Sequence, residues 1–126
     1  MSKDLLESED PRYRFILDIM VDNVRAVFGD ENLHVLHESY PYPEPPEING
    51  VVPAIYSDRA GICIAADVAL GEDMQKDLKH QRTLVTWADE VPSRHYWLGI
   101  PLNYDTSDQQ ETWQEEGRIT LHPFQI

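Results

Sequence analysis

The alternation of apolar and polar positions divides the chain into two long helices and a set of short strands. From Arg12 to Phe28, the residues Tyr13, Ile16, Leu17, Met20, Val24, Val27 and Phe28 recur at helical spacing and give one apolar face. Asp10 suits the N-cap, Pro11 the first turn and Gly29 the C-terminal stop. LHVLHESY, Leu33 to Tyr40, predicts a strand with imperfect alternation. VVPAIY, Val51 to Tyr56, and GICIAADV, Gly61 to Val68, predict two more, joined through the turn-like SDRAG as an antiparallel hairpin. The intervening PYPEPPEING is too rich in proline for a helix or a central strand, and predicts a loop of polyproline character over 41–50.

Helical spacing returns between Glu72 and Asp89. Met74, Leu78, Gln81, Val85 and Ala88 form one stripe, with Asp77, Lys79 and His80 off it. Glu72 and Asp73 favour the helix dipole, and Lys76 is spaced to pair with Glu72. HYWLGIPL, His95 to Leu102, predicts a central strand. Ser107 to Gln110 match a capping box, starting a short helix that carries Trp113 and stops at Gly117. RITLHPF, ending at Phe124, predicts a last strand placed at a sheet edge by Pro123.

The order is α-β-β-β-α-β followed by a short helix and a C-terminal strand. It predicts one α/β domain over 1–126 with a mixed sheet and a flexible tail at 1–10. A strand–helix–strand crossover of this length predicts a parallel pairing of GICIAADV with HYWLGIPL.

Composition narrows the function classes. With 41% hydrophobic residues the chain can build a core, and no apolar run approaches the ~20 residues of a membrane span. The acidic start MSKDLLESED lacks the basic and apolar regions of a signal peptide, so a cytoplasmic location is expected. The single Cys63 agrees with a reducing compartment and reads as a small core residue. Twenty-three acidic residues against ten basic give a net charge of −13. That charge opposes approach to nucleic acid, whose affinity rests on Lys and Arg at phosphates, and a protein partner is expected instead.

Four local features carry a resemblance. Val52-Pro53-Ala54-Ile55 precedes the strand GICIAAD; a helix with Asp77, Lys79, His80 and Gln81 follows; HYWLGIP closes the set. In this order they resemble the PD-(D/E)xK, or restriction-endonuclease-like, superfamily, especially small restriction-endonuclease-like proteins of bacteria, over Arg12 to Pro101. The resemblance implies carboxylates on adjacent strands that hold Mg²⁺, and a lysine that positions or activates the attacking water. Here Ala54 stands where the family has the aspartate after proline. The second motif reads either as Ala65-Ala66-Asp67, lacking acid and lysine both, or as Asp67-Val68-Ala69, lacking the lysine alone. The expectation is a degenerate member without catalytic residues. Asp67, Glu38 and Lys76 are the residual catalytic candidates, Asp67 and Asp58 the residual metal candidates, and Mg²⁺ the cofactor only if that site is active.

Other constellations weigh less. His34 and His37 in HVLHE do not match the H-E-x-x-H or H-x-x-E-H spacing of zinc helices, and on a strand they point to opposite faces. Trp87, Trp97, Trp113, Tyr96 and Tyr104 could line a binding wall, but core packing explains them more simply. Pro43 and Pro46 have P-x-x-P spacing without a flanking basic residue. YSDRAGICIAADV is also similar to the strand pair of small acidic secretion chaperones, which implies a homodimer that binds extended segments of partner proteins. A parallel pairing of 62–67 with 95–100 discriminates in favour of the nuclease-like scaffold.

Overall fold

Helix α1 forms over Pro11–Phe28, where the apolar stripe predicts it. Asp10 caps it, accepting from the Arg12 backbone N–H at 2.9 Å, while the Arg12 guanidinium bonds the same carboxylate. That side-chain bond, with the backbone one, holds the Asp10 carboxyl below its ordinary range. Gly29 ends the helix with φ 76°, its N–H donating to the Arg25 carbonyl. The computed structural model describes residues 10–70, 74–103 and 119–125 (for 74–77, the helical backbone). The segments carrying the predicted tail, the first residues of the second helix, the capping box and Trp113 lie outside them.

Five strands form one sheet in the spatial order β1-β2-β3-β4-β5: β1 His34–Val35, β2 Ile55–Arg59, β3 Ile62–Val68, β4 Arg94–Pro101 and β5 Ile119–Phe124. Helix α2, Met74–Glu90, connects β3 to β4. β1, β2 and β3 pair antiparallel, while β3–β4 and β4–β5 are parallel. The mixed α/β sheet and the order α-β-β-β-α-β with a C-terminal strand agree with the sequence expectation; the expected short helix lies outside the described residues. The crossover through α2 sets Ala65 beside Tyr96 and Asp67 beside Leu98.

The two faces of the sheet have separate cores. Ile16, Leu17, Met20, Val21, Val24 and Phe28 of α1 cover Ile55, Ile64, Ala66 and Val68. Leu84, Val85, Trp87 and Ala88 of α2 cover Ala65, Tyr96, Leu98 and Ile100. β3 therefore alternates between two buried environments, which explains its nearly continuous apolar run. Val27, expected on the buried face of α1, is 55% exposed, and Val21 is buried in its place.

Three strand boundaries differ from the sequence expectation, each for a local reason. β1 has two residues, not eight. Leu36 N–H goes to the Ala54 carbonyl, the chain then turns over His37–Tyr40, and Tyr40 is pinned to α1 by its hydroxyl donating to Asp18. β2 begins at Ile55, not Val51, because Val51 closes a separate turn with Ile48 and Pro53 has no N–H for a ladder. The expected turn SDRAG is mostly strand: Ser57, Asp58 and Arg59 pair with Ile64, Cys63 and Ile62. Only Ala60 and Gly61, with φ 54° and 85°, make the turn, a two-residue hairpin with both central residues left-handed. Cys63 is half-buried, not fully in the core.

The proline loop is fastened to the sheet. The Pro43 carbonyl accepts from Val35 N–H, His34 Nδ1 lies 3.0 Å from the Glu44 carbonyl, and Pro45 is buried.

β5 is an edge strand, as Pro123 predicts. Leu102 N–H donates to the Phe124 carbonyl, so Phe124 turns its polar groups towards β4 and Pro123 faces outwards, where its missing N–H costs no ladder bond. His122 packs its ring against Trp97 at 5.1 Å, and its Nε2 is buried without a hydrogen-bond partner among the described residues. Burial pushes its pKa below the ordinary imidazole value. The unfolded chain therefore takes up this proton at a higher pH than the folded one, and stability falls as pH drops from about 6.5 towards the folded pKa. His122→Phe should flatten that part of the curve relative to the parent, measured by urea unfolding between about pH 7.5 and pH 5. Parallel curves for the two proteins would refute it.

Candidate functional site

Residues 65, 67 and 69 share the α2 side of β3 because strand side chains alternate. Ala65 and Ala69 are small, and the only polar group between them is the Asp67 carboxylate, in a residue 7% exposed. A buried carboxylate in a strand needs donors, and three separate elements supply them. Ala54 N–H, just before β2, donates to Oδ1 at 2.8 Å. The Tyr96 hydroxyl from β4 donates to Oδ2 at 2.9 Å. His80 Nε2 from α2 lies 2.8 Å from the same Oδ2, its side chain 31% exposed. An ionised carboxylate only accepts, so the pairing assigns the proton to Nε2 of the imidazole.

Each donor is placed by the fold. Ile55 pairs with Ala66, so Ala54 stands one register step on, beside Asp67, and Pro53 leaves this stretch without a competing ladder bond. Tyr96 is opposite Ala65, one alternation below Asp67, and its ring is fully buried in the α2-side core. His80 lies off the apolar stripe of α2 at the sheet-facing margin, next to the buried Gln81. The result is a clasp that joins the loop before β2, both central strands and α2 through one carboxylate.

Asp58 and Glu38 lie elsewhere. Asp58 is in β2, not a turn, opposite Cys63, and accepts from Asn32 Nδ2 at 3.1 Å. It stands four residue steps from Ala54, about 13 Å along the strand, too far for a cation shared with Asp67. Glu38 is exposed in the His37–Tyr40 turn. The side chain of Lys76 lies outside the described residues. Among those described, no three His, Cys, Asp or Glu side chains are grouped to hold a metal. Mg²⁺, which the resemblance implies, asks for octahedral oxygen ligands from one or two carboxylates and usually several waters. Here the Asp67 carboxylate is filled by nitrogen and hydroxyl donors, and its strand neighbour is Ala54. The described residues do not fit the ion.

Trp87 and Trp97 serve packing, while Tyr104 and Trp113 lie outside the described residues. Trp97 contacts Phe28 edge-on, and Trp87 lies between Tyr56 and the Arg94 guanidinium, which also bonds the Trp87 carbonyl and Glu90. Burial, then a hydrogen bond with Cys63, pushes the Tyr56 phenol above its ordinary pKa. His34 and His37 do not converge: the first faces the Glu44 carbonyl, and Nδ1 of the second accepts from Ser39 N–H.

No protein-family model matches the chain, and no curated protein does. Among solved structures, an XisH family protein from Nostoc punctiforme is similar over 90% of this chain and 91% of its own, at 13% identity and a TM-score of 0.46. A fdxN element excision controlling factor protein from Anabaena variabilis is similar over 90% and 92%, at 15% identity and a TM-score of 0.42. No helix among the described residues is long and apolar enough to cross a membrane.

Proposed function

We propose that this chain is a degenerate PD-(D/E)xK domain that does not hydrolyse phosphodiesters and acts by binding a protein partner. The observation that carries the reading is the occupancy of Asp67: both of its oxygens are engaged by protein donors, across from an alanine where the family has its aspartate. The register step beside Ala54 supports Asp67-Val68-Ala69 as the second motif, with Ala69 in the lysine position. On that reading no lysine stands at the family's water-activating position and no carboxylate stands at the position of Ala54. The parallel pairing of 63–68 with 94–99 supports this scaffold over the secretion-chaperone reading.

Charge favours protein over nucleic acid. Besides the net −13, Arg12, Arg14, Arg25 and Arg94 are each within ion-pair distance of acidic residues of the chain itself. Those guanidinium groups would have to leave their partners to meet phosphates.

Supercoiled plasmid incubated with the protein and Mg²⁺ or Mn²⁺ should remain intact, at a nicking rate indistinguishable from that of Asp67→Asn. Metal-dependent cleavage that this substitution abolishes would falsify the non-catalytic reading.

A further inference from the structure

The proline loop ends in a feature that neither the sheet nor the clasp requires. Ile48 and Val51 exchange both backbone hydrogen bonds, at 2.7 and 3.1 Å, around Asn49 and Gly50. Both central residues have positive φ, 52° and 91°, the two-residue turn that Asn-Gly favours. Asn49 and Gly50 are exposed, and among the described residues neither the Asn49 amide nor the Gly50 N–H has a hydrogen-bond partner. Nothing lies within 4 Å of where a Gly50 Cβ would be, so the approach to the Gly50 nitrogen is open.

From this geometry we infer that Asn49 is a site of spontaneous covalent modification: deamidation through a cyclic imide with Gly50. The Gly50 backbone nitrogen attacks Asn49 Cγ and forms the ring bond. The Cγ–Nδ2 bond breaks, and ammonia departs carrying the Gly50 amide proton. Water then opens the imide. Cleavage at Cγ gives aspartate, while cleavage at the backbone carbonyl gives isoaspartate, with the chain continuing through the side-chain carbon. Nothing is oxidised or reduced.

Ring closure requires the Asn49 backbone to rotate out of the turn conformation, so the reaction draws on the opened turn. An isolated bridge of two hydrogen bonds, with no ladder on either side, opens at low cost. The other asparagines are poorer sites. Asn23 is inside α1, Asn32 is bonded to Asp58, and each of Asn23, Asn32 and Asn103 precedes a residue with a bulky side chain.

The isoaspartyl product has a different consequence from the aspartyl one. It lengthens a two-residue turn by one backbone carbon, and the Ile48–Val51 pairing cannot close over it. Ile48 belongs to the α2-side core, and Val51 is three residues from Ala54, whose N–H holds Asp67. Modification of the turn therefore loosens the segment that supplies one arm of the clasp.

The test incubates the folded full-length protein in mildly alkaline buffer, beside a urea-unfolded sample and the Asn49→Asp variant. Peptide mapping with isoaspartate methylation gives the readout. Isoaspartate should accumulate at residue 49 in folded protein, ahead of positions 23, 32 and 103. The isoaspartyl fraction should melt below Asn49→Asp, which keeps the turn. Failure of the folded protein to convert at residue 49 while the unfolded chain does so would overturn the inference, and so would failure of both to convert.

Discussion

Replacing Asp67 by alanine is expected to destabilise the domain by about 2–6 kcal/mol, through the buried donors it leaves without an acceptor. The substitution leaves the Ala54 N–H and the Tyr96 hydroxyl buried with nothing to donate to, at roughly 1–3 kcal/mol for each unsatisfied group. It also strips His80 of its acceptor on the sheet. For a domain of this size the midpoint of thermal unfolding should fall by roughly 10 °C or more. Asp67→Asn should cost less, because Oδ1 still accepts from Ala54 and the Tyr96 hydroxyl can rotate to meet the new amide. The ordering alanine, then asparagine, then parent is the diagnostic result. Three coincident melting curves would mean that the carboxylate fastens nothing.

The second large effect is expected at Gly99, in the middle of β4 beneath α1. A Cβ there would lie 2.7 Å from Ile16 Cγ2 and 3.0 Å from Met20 Cγ. Met20 can move aside, but Ile16 is β-branched, locked by its helix and fully buried. Gly99→Ala should therefore cost about 1–3 kcal/mol through overpacking, and Gly99→Val more, by lifting α1 from the sheet. Ile16→Ala removes the opposing methyl, so the double variant should be more stable than the sum of the single losses. Equilibrium urea unfolding of the four proteins closes the cycle. Additivity within about 0.5 kcal/mol would show that the two residues do not meet.

The outcome at Asp67 also bears on the proposed function. A carboxylate that serves a catalytic cation is kept available for it. Asp67 is instead engaged by protein donors, and its replacement is expected to be felt in folding and not in cleavage. A parent protein that gains stability on adding Mg²⁺, with the gain lost in Asp67→Asn, would point back to a metal ligand.

Much of the architecture is legible in the linear pattern because burial leaves a period. The stripe on α1 and the Asp10, Pro11 and Gly29 signals place that helix to within a residue at either end. The apolar run of β3 and the helical stretch after it predict the parallel crossover. Boundaries fail where a single local bond overrides the pattern. Leu33 to Tyr40 has strand composition, yet the Tyr40 contact with Asp18 and the turn at His37 end β1 after two residues. Ser57, Asp58 and Arg59 have turn composition, yet the ladder carries them to the last pair before Ala60.

The candidate site divides in the same way. Asp67 can be singled out from sequence, because a carboxylate closing a buried strand calls for explanation. The clasp does not show. His80 is an ordinary off-stripe helical residue, Tyr96 an ordinary core aromatic, and the Ala54 N–H has no side-chain signature at all. Those donors are 13 residues before Asp67, 13 after it and 29 after it, on elements with no common local motif. Sequence by itself determined the two long helices, the sheet class and the acidity, because each follows from composition or near-neighbour periodicity. Only the tertiary structure decided what the surviving carboxylate does, because its partners meet through register and crossover geometry.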